Sequence, residues 1–206
     1  MIKTAHNFFI YRLFQILTLY LLKRKFKRIE INDGYTDYGL PVLVISNHIS
    51  WWDGFWIMYL NLKIIHRKFH FMMLEEQLEK HWYFKYSGAY PIRKKSKSII
   101  ESLNYTSELL KDNRNMVFIF PQGEICSLYN EEIQFQRGVG KVIRDSDKKI
   151  QIVFLANFVE YLENPKQTLF MYLKTFTSED VSPDNIEEEY KKFYRESLNK
   201  QKTKRV

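Results

Sequence analysis

Cysteine is nearly absent: Cys126 is the one example in 206 residues, which excludes an intramolecular disulfide and fits a reducing compartment. No zinc-finger spacing, DNA-reading helix pattern or RNP-like run occurs, so nucleic acid ranks last among possible partners. No apolar run reaches the roughly 20 residues that a spanning helix needs. The longest candidate, Phe8 to Leu22, is 15 residues and carries Arg12 and Gln15. No small-residue cleavage pattern follows it, which argues against a signal peptide. Low-complexity segments, internal repeats and Pro/Gly-rich linkers are also lacking, and the length predicts one domain with a sizeable core.

What the chain does have is aromatic and basic. Aromatics make up 17% and apolar residues 45% of the sequence, which excludes a disordered chain. Such richness in Phe and Tyr fits a large core, or a surface that meets lipid or acyl chains. The 32 basic against 24 acidic residues give a net charge of +8 and predict an anionic partner, either a membrane or a phosphorylated substrate. Within Phe8 to Leu22, helical spacing gathers Asn7, Tyr11, Gln15 and Thr18 into a narrow polar stripe, and the rest is hydrophobic. Lys23-Arg24-Lys25-Phe26-Lys27-Arg28 follows directly. A greasy helix feeding a polybasic run reads as an interfacial anchor on anionic lipid. The alternative is a core helix with a solvated basic end.

Four short apolar runs read as strands: Val42 to Ile45, Val117 to Phe120, Ile152 to Leu155 and Phe170 to Leu173. Their hydrophobicity is continuous rather than alternating, which predicts a sheet covered on both faces. Lys68 to Leu74 is a further strand candidate, and Arg28 to Ile31 an edge strand. Helices are expected over Trp51 to Leu60, Glu75 to Tyr86 and Ser98 to Leu110, where Ile99, Leu103 and Leu110 share a face. A last helix is expected from the Ser182 cap and Pro183, burying Ile186, Tyr190 and Phe193. Strands alternating with helices predict an α/β domain. The segments are then 1–28 (interfacial helix and polybasic run), 29–199 (the α/β domain) and 200–206, a basic tail expected to be disordered from Lys200 to Arg205.

Chemistry concentrates where strands end. Asn47-His48-Ile49-Ser50-Trp51-Trp52-Asp53 follows the first strand and sets an imidazole and a carboxylate five residues apart at a strand-to-helix turn. Ser50 to Asp53 also fits a capping box, with Ser50 at the N-cap. The two readings are compatible, because a first-turn carboxylate can accept from His48 Nδ1–H, fix the tautomer and leave Nε2 as base. Pro121-Gln122-Gly123-Glu124 ends another strand. Read alone it is turn chemistry; read functionally, Gly123 lets backbone N–H groups approach a substrate oxygen. Gly88 to Arg93 alone is a loop, and Arg93-Lys94-Lys95 a solvated basic patch. Together, a base with its carboxylate, an arginine and a tight glycine loop are the parts needed to move an acyl group onto a hydroxyl. His66 and His70 sit four apart, but Lys68 to Leu74 reads as strand, and no metal site is expected.

In order and spacing, these blocks resemble the glycerolipid acyltransferase family, the lysophosphatidate acyltransferase superfamily, from about Val42 to Leu155. His48 to Asp53 matches its His-x4-Asp block. Gly88 to Arg93 looks like its second block, which ends in an acceptor-binding arginine. Phe120-Pro121-Gln122-Gly123-Glu124 looks like the third, usually Phe-Pro-Glu-Gly-Thr-Arg, and Phe135-Gln136-Arg137-Gly138 resembles the Phe-Lys-x-Gly step after it. The resemblance implies a single acyltransferase-type α/β domain, a mixed sheet flanked by helices, plus an N-terminal amphipathic membrane helix. It implies His48 as base and Asp53 as its orienting partner. Acceptor binding falls to Arg93 with Lys94 or Arg137, and to Gln122, Gly123 and Glu124, with amides around Gly123 as oxyanion donors.

The implied reaction is acyl transfer from acyl-CoA or acyl-carrier protein to the hydroxyl of a lysophospholipid-like acceptor, of the 1-acyl-glycerol-3-phosphate type, in membrane lipid synthesis. No cofactor or metal is expected, and the location expected is the cytoplasmic face of the inner or cell membrane, peripherally bound. The chain departs from the family at Gln122 (usually Glu), Glu124 (usually Thr), Ile125 (usually Arg) and Gln151-Ile152-Val153 (usually Val-Pro-Val). These departures alter the acceptor site and open two rivals. One is the same chemistry on a glycolipid, aminolipid or pigment alcohol; the other is a catalytically inactive peripheral membrane protein.

Overall fold

A computed structural model of the chain describes residues 3–32, 34–93, 98–146 and 150–205. Strands β1 (Phe26–Asn32), β2 (Val42–Ser46), β3 (Lys68–Leu74), β4 (Ala89–Ile92), β5 (Asn115–Ile119), β6 (Gln151–Glu160) and β7 (Gln167–Thr175) form one sheet in the order β1-β7-β6-β2-β5-β3-β4. β6, β2, β5, β3 and β4 run parallel to one another. β7 is antiparallel to β6, and β1 is parallel to β7. The sheet is therefore mixed, and the carboxyl ends of β2, β5, β3 and β4 share one edge, where open α/β sheets place their ligands.

Successive strand residues point to opposite faces, so each covered strand feeds two cores. Val42, Val44, Phe118 and Leu155 pack under α1 (Phe8–Lys25), α2 (Asp53–Leu60) and the short α3 (Glu75–Lys80). Leu43, Ile45, Ile119 and Phe154 pack under α4 (Ser98–Leu109), α5 (Arg137–Asp145) and α6 (Pro183–Lys202). Every residue of β2 is fully buried, which is why its sequence shows no alternation.

The expected strands are all present, as are the helices after His48, over 98–109 and after Ser182, whose Oγ accepts from Asn185 N–H. β4 was expected only as a loop. Pro91 weakens its strand signal, and the position is permitted because β4 is an edge strand. Gly88, just ahead of it, has φ +107°, and a Cβ there would fall 2.0 Å from the Phe69 carbonyl oxygen. The single helix expected over Glu75 to Tyr86 is broken, with α3 ending at Lys80 and Trp82–Ser87 forming a 3₁₀ segment. The Ala5 and Asn7 N–H groups donate to the carbonyls of Lys85 and Tyr86 at 3.1 and 3.2 Å, a tertiary contact with no local signal. α5 is additional; Gly138 and Gly140 lower its helix propensity.

Two surface expectations change. The segment Lys200 to Arg205 is ordered against the domain: α6 runs to Lys202, which pairs with Glu131, and Lys204 Nζ donates to Glu30 Oε2 at 2.9 Å. In α1, Tyr11 and Thr18 of the polar stripe face inward. Asn7 caps the helix, Tyr11 OH accepts from Phe69 N–H at 3.3 Å, and Thr18 is fully buried beside Phe14 and Leu22. Phe8, Phe9, Leu13, Ile16, Leu17 and Tyr20 face outward. α1 thus covers the core with one face and leaves a second apolar face exposed.

Under α1, His6 and His70 stack edge to face with ring centroids 4.7 Å apart. His70 lies on β3 and bonds Asn115 Oδ1 at 3.1 Å, so it shares no helix face with His66. Burial, reinforced by nearby Lys68, lowers the pKa of His6 to about 4, and burial with the His6 charge lowers His70 to about 3. Below about pH 6.5 the unfolded chain binds these protons while the folded one does not, so stability falls as pH drops from 6.5 toward 4 and, for His70, toward 3. Replacing both by Gln should flatten the fall of the urea unfolding midpoint between pH 6.5 and about 4. Wild-type and variant curves that stay parallel would refute the assignment.

Candidate active site

The turn after β2 carries His48, and the first residue of α2 is Asp53. His48 Nδ1 lies 2.6 Å from Asp53 Oδ2. A carboxylate oxygen accepts, so Nδ1 carries the proton and Nε2 is left basic. The same Oδ2 accepts from the N–H groups of Ile49 at 2.7 Å and Ser50 at 3.0 Å. Burial raises the pKa of Asp53, and the bonds from His48, Ser50 and Ile49 pull it back. The capping reading holds in modified form: Asp53 does reach back to the Ser50 amide, but Ser50 Oγ accepts from Trp52 N–H, and Trp52 is the N-cap.

The turn after β5 encloses the same histidine. The Phe120 ring stacks on the imidazole at 3.9 Å and 6°. Gln122 is buried, and its Oε1 accepts from His48 N–H at 2.8 Å. The His48 carbonyl accepts from Cys126 N–H at 2.8 Å. Gly123 holds φ +72°, a left-handed value that favours glycine. His48 is thus held at its ring, its N–H and its carbonyl, with a side chain still 21% exposed on the open edge. A base fixed in one tautomer beside an open edge is suited to taking a proton from a bound hydroxyl.

A family model described as Acyltransferase matches residues 26–156, which include both turns, strands β1 to β5 and the first part of β6. The chain belongs to the glycerolipid acyltransferase family. No curated protein gives a match.

The family's acceptor residues are placed less simply than the blocks imply. The Gln122 side chain points at the His48 main chain. The Gly123 N–H donates to the Phe120 carbonyl at 3.1 Å, closing the turn, so it is engaged within the protein rather than presented as an oxyanion donor. Arg93, at the end of β4, is exposed and paired with Glu75. β4 and β2 are separated by β3 and β5, three strand spacings of about 4.8 Å or ~14 Å in all, so Arg93 does not share contacts with His48. Lys94 and Lys95 lie outside the described residues. Arg137 is exposed at the first turn of α5, and Glu124 is exposed beside the His48 turn; neither has an ion-pair partner among the described residues.

Sequence reasoning missed a buried polar layer beneath the pair. Asn47 Nδ2 donates to the Asn157 carbonyl at 2.9 Å, and its Oδ1 accepts from Asn157 N–H at 2.8 Å. This side chain continues the β2–β6 ladder after the backbones part. Tyr190 of α6 donates its hydroxyl to the Leu155 carbonyl at 3.0 Å. Burial holds this phenol well above its ordinary pKa. Asn47 was legible as the neighbour of His48, whereas Tyr190 lies beyond the matched region and gave no signal except helix periodicity.

Asn47→Ala should leave both buried Asn157 backbone groups unpaired and cost about 1–3 kcal/mol each at most. Thermal unfolding should show a clear drop in Tm. An unchanged Tm would mean that water or a relaxed backbone replaces the clamp.

Proposed function

We propose that this family member transfers an acyl group from acyl-CoA or acyl-carrier protein to a lipid-like hydroxyl. The observation carrying the reading is the 2.6 Å contact of His48 Nδ1 with buried Asp53, which leaves Nε2 as base. The acceptor O–H gives its proton to Nε2 as its oxygen bonds to the thioester carbonyl carbon. The tetrahedral intermediate collapses, the C–S bond breaks, and the thiolate leaves with the proton returned by the imidazolium. Asp53 orients the ring and stabilises the imidazolium, as in the acid of a catalytic triad, with no nucleophile supplied by the enzyme. The organised pair also argues against an inactive relative.

The acceptor we favour is a lysophospholipid of the 1-acyl-glycerol-3-phosphate type, with Arg137 and Arg93 on the open edge as sources of positive charge. One observation favours an uncharged acceptor as a second reading: Arg93 is already paired with Glu75, and Ile125 and Glu124 stand exposed where the family block has arginine and threonine.

The reaction is assigned to the cytoplasmic face of the cell membrane, with the protein bound peripherally. Among the described residues, no helix is long and apolar enough to cross a membrane. Support comes from the outward apolar face of α1 and its basic last turn, Lys23, Arg24 and Lys25. Beneath that face a chain of ring contacts leads toward the site: the buried Phe14 of α1 touches Phe55, and Phe55 touches the exposed Trp51, three residues beyond His48.

His48→Ala should lower thiol release from long-chain acyl-CoA by ~10² to 10⁴ with the fold intact, and Asp53→Asn should cost less. Wild-type turnover in His48→Ala would overturn the mechanism. For the membrane assignment, full-length protein should float with anionic liposomes. Leu13→Glu with Leu17→Glu on the exposed face should abolish flotation without lowering Tm. Equal flotation of the double variant would remove α1 as the anchor.

A further inference from the structure

We propose that Gln122 is a positioning residue for His48: its side-chain oxygen holds the catalytic main chain, and it does not bind the acceptor. The proposal rests on the acyl-transfer reading above. A backbone N–H only donates, so the atom 2.8 Å from His48 N must be Oε1 and not Nε2. Gln122 is 7% exposed, which keeps water from competing easily for that N–H.

Gln122 is itself held from both sides. The Gly123 N–H closes the turn onto Phe120, the Gln136 N–H donates to the Pro121 carbonyl at 2.8 Å, and Gln136 Nε2 donates to the Gln122 carbonyl at 3.4 Å. The loop that orients Gln122 also supplies Phe120 against the imidazole and Cys126 N–H to the His48 carbonyl. Both peptide planes flanking His48 are thereby tied to one rigid turn. Rotation of the 47–48 plane would swing Cβ and carry Nε2 along an arc. The Asp53 bond restrains Nδ1 but cannot by itself set where Nε2 lies. Misplacement of a reacting group by about 1 Å can cost on the order of 10²-fold in rate.

The requirement at position 122 is an oxygen acceptor of this length. A carboxyl meets it in either protonation state and a thioether does not. The test compares Gln122→Met with Gln122→Glu in the full-length protein. The readouts are kcat and KM for a long-chain acyl-CoA, and the low-field NMR signal of the His48 Nδ1 proton, identified by its loss in His48→Ala. Q122M should lower kcat roughly 10- to 100-fold with KM near the wild-type value, and should shift or broaden the proton signal. Q122E should restore most of kcat and keep the signal.

A raised KM with unchanged kcat, equal losses in Q122M and Q122E, or an unmoved signal in Q122M would each overturn the proposal. If Q122M does not fold, Gln122→Ala is read on the same two measurements. If the wild-type protein transfers to no acceptor, the acyl-transfer reading fails, and the NMR comparison alone decides whether Gln122 positions His48.

Discussion

A fully buried carboxylate is the constraint on which the site depends. Asp53 has no solvent to stabilise its charge, and burial works to protonate it. Three N–H donors converge on Oδ2: two from the chain just before it, at Ile49 and Ser50, and one from His48. The tight turn between β2 and α2 exists in a form that points these donors inward. The same bonds that oppose the effect of burial on Asp53 orient the ring of His48, so local stability and the geometry of the pair draw on one set of bonds.

Around that turn the fold supplies restraint from strands remote in sequence. β5 lies beside β2 on one side and β6 on the other, so the segments leaving them can reach the residues that follow Ser46. From β5 come Phe120, Gln122 and Cys126; from β6 comes the Asn157 backbone that holds Asn47. α6 adds Tyr190 from beneath. The third block thus contributes more to holding His48 than its likeness to an acceptor-binding motif suggests. The strand order, with β5 and β3 between β2 and β4, also explains why Arg93 belongs to a different part of the edge.

α1 inverts the usual logic of an amphipathic helix on a globular domain. Tyr11 meets Phe69 and Thr18 is enclosed beside the buried Phe14 and Leu22, while Phe8, Phe9, Leu13, Ile16, Leu17 and Tyr20 are left outside. Exposure of that many contiguous apolar groups opposes solubility unless another apolar phase covers them. On the membrane reading proposed above, the basic residues at the end of α1 and in β1 would meet anionic headgroups.

Much of this was legible in the sequence because it depends on neighbours along the chain. Continuous apolar runs foretold strands covered on both faces, Ser182-Pro183 foretold the start of α6, and the five-residue spacing of His48 and Asp53, at a strand-to-helix turn and beside the other blocks, pointed to their hydrogen bond. Composition and block order pointed to the family. Tertiary structure alone decided what depends on strand order and on contacts between distant segments. β4 is a strand because β3 offers it an edge, despite Pro91. The helix expected across Glu75 to Tyr86 ends at Lys80, and the 3₁₀ segment after it takes the bonds of the N-terminal segment at Lys85 and Tyr86. The direction in which α1 turns its stripe, the pairing of Arg93 with Glu75, and the grip of Gln122 on His48 follow the same rule. Periodicity and motif spacing specify which side chains share a face or a turn, but the partner that meets them is fixed by packing across the sheet.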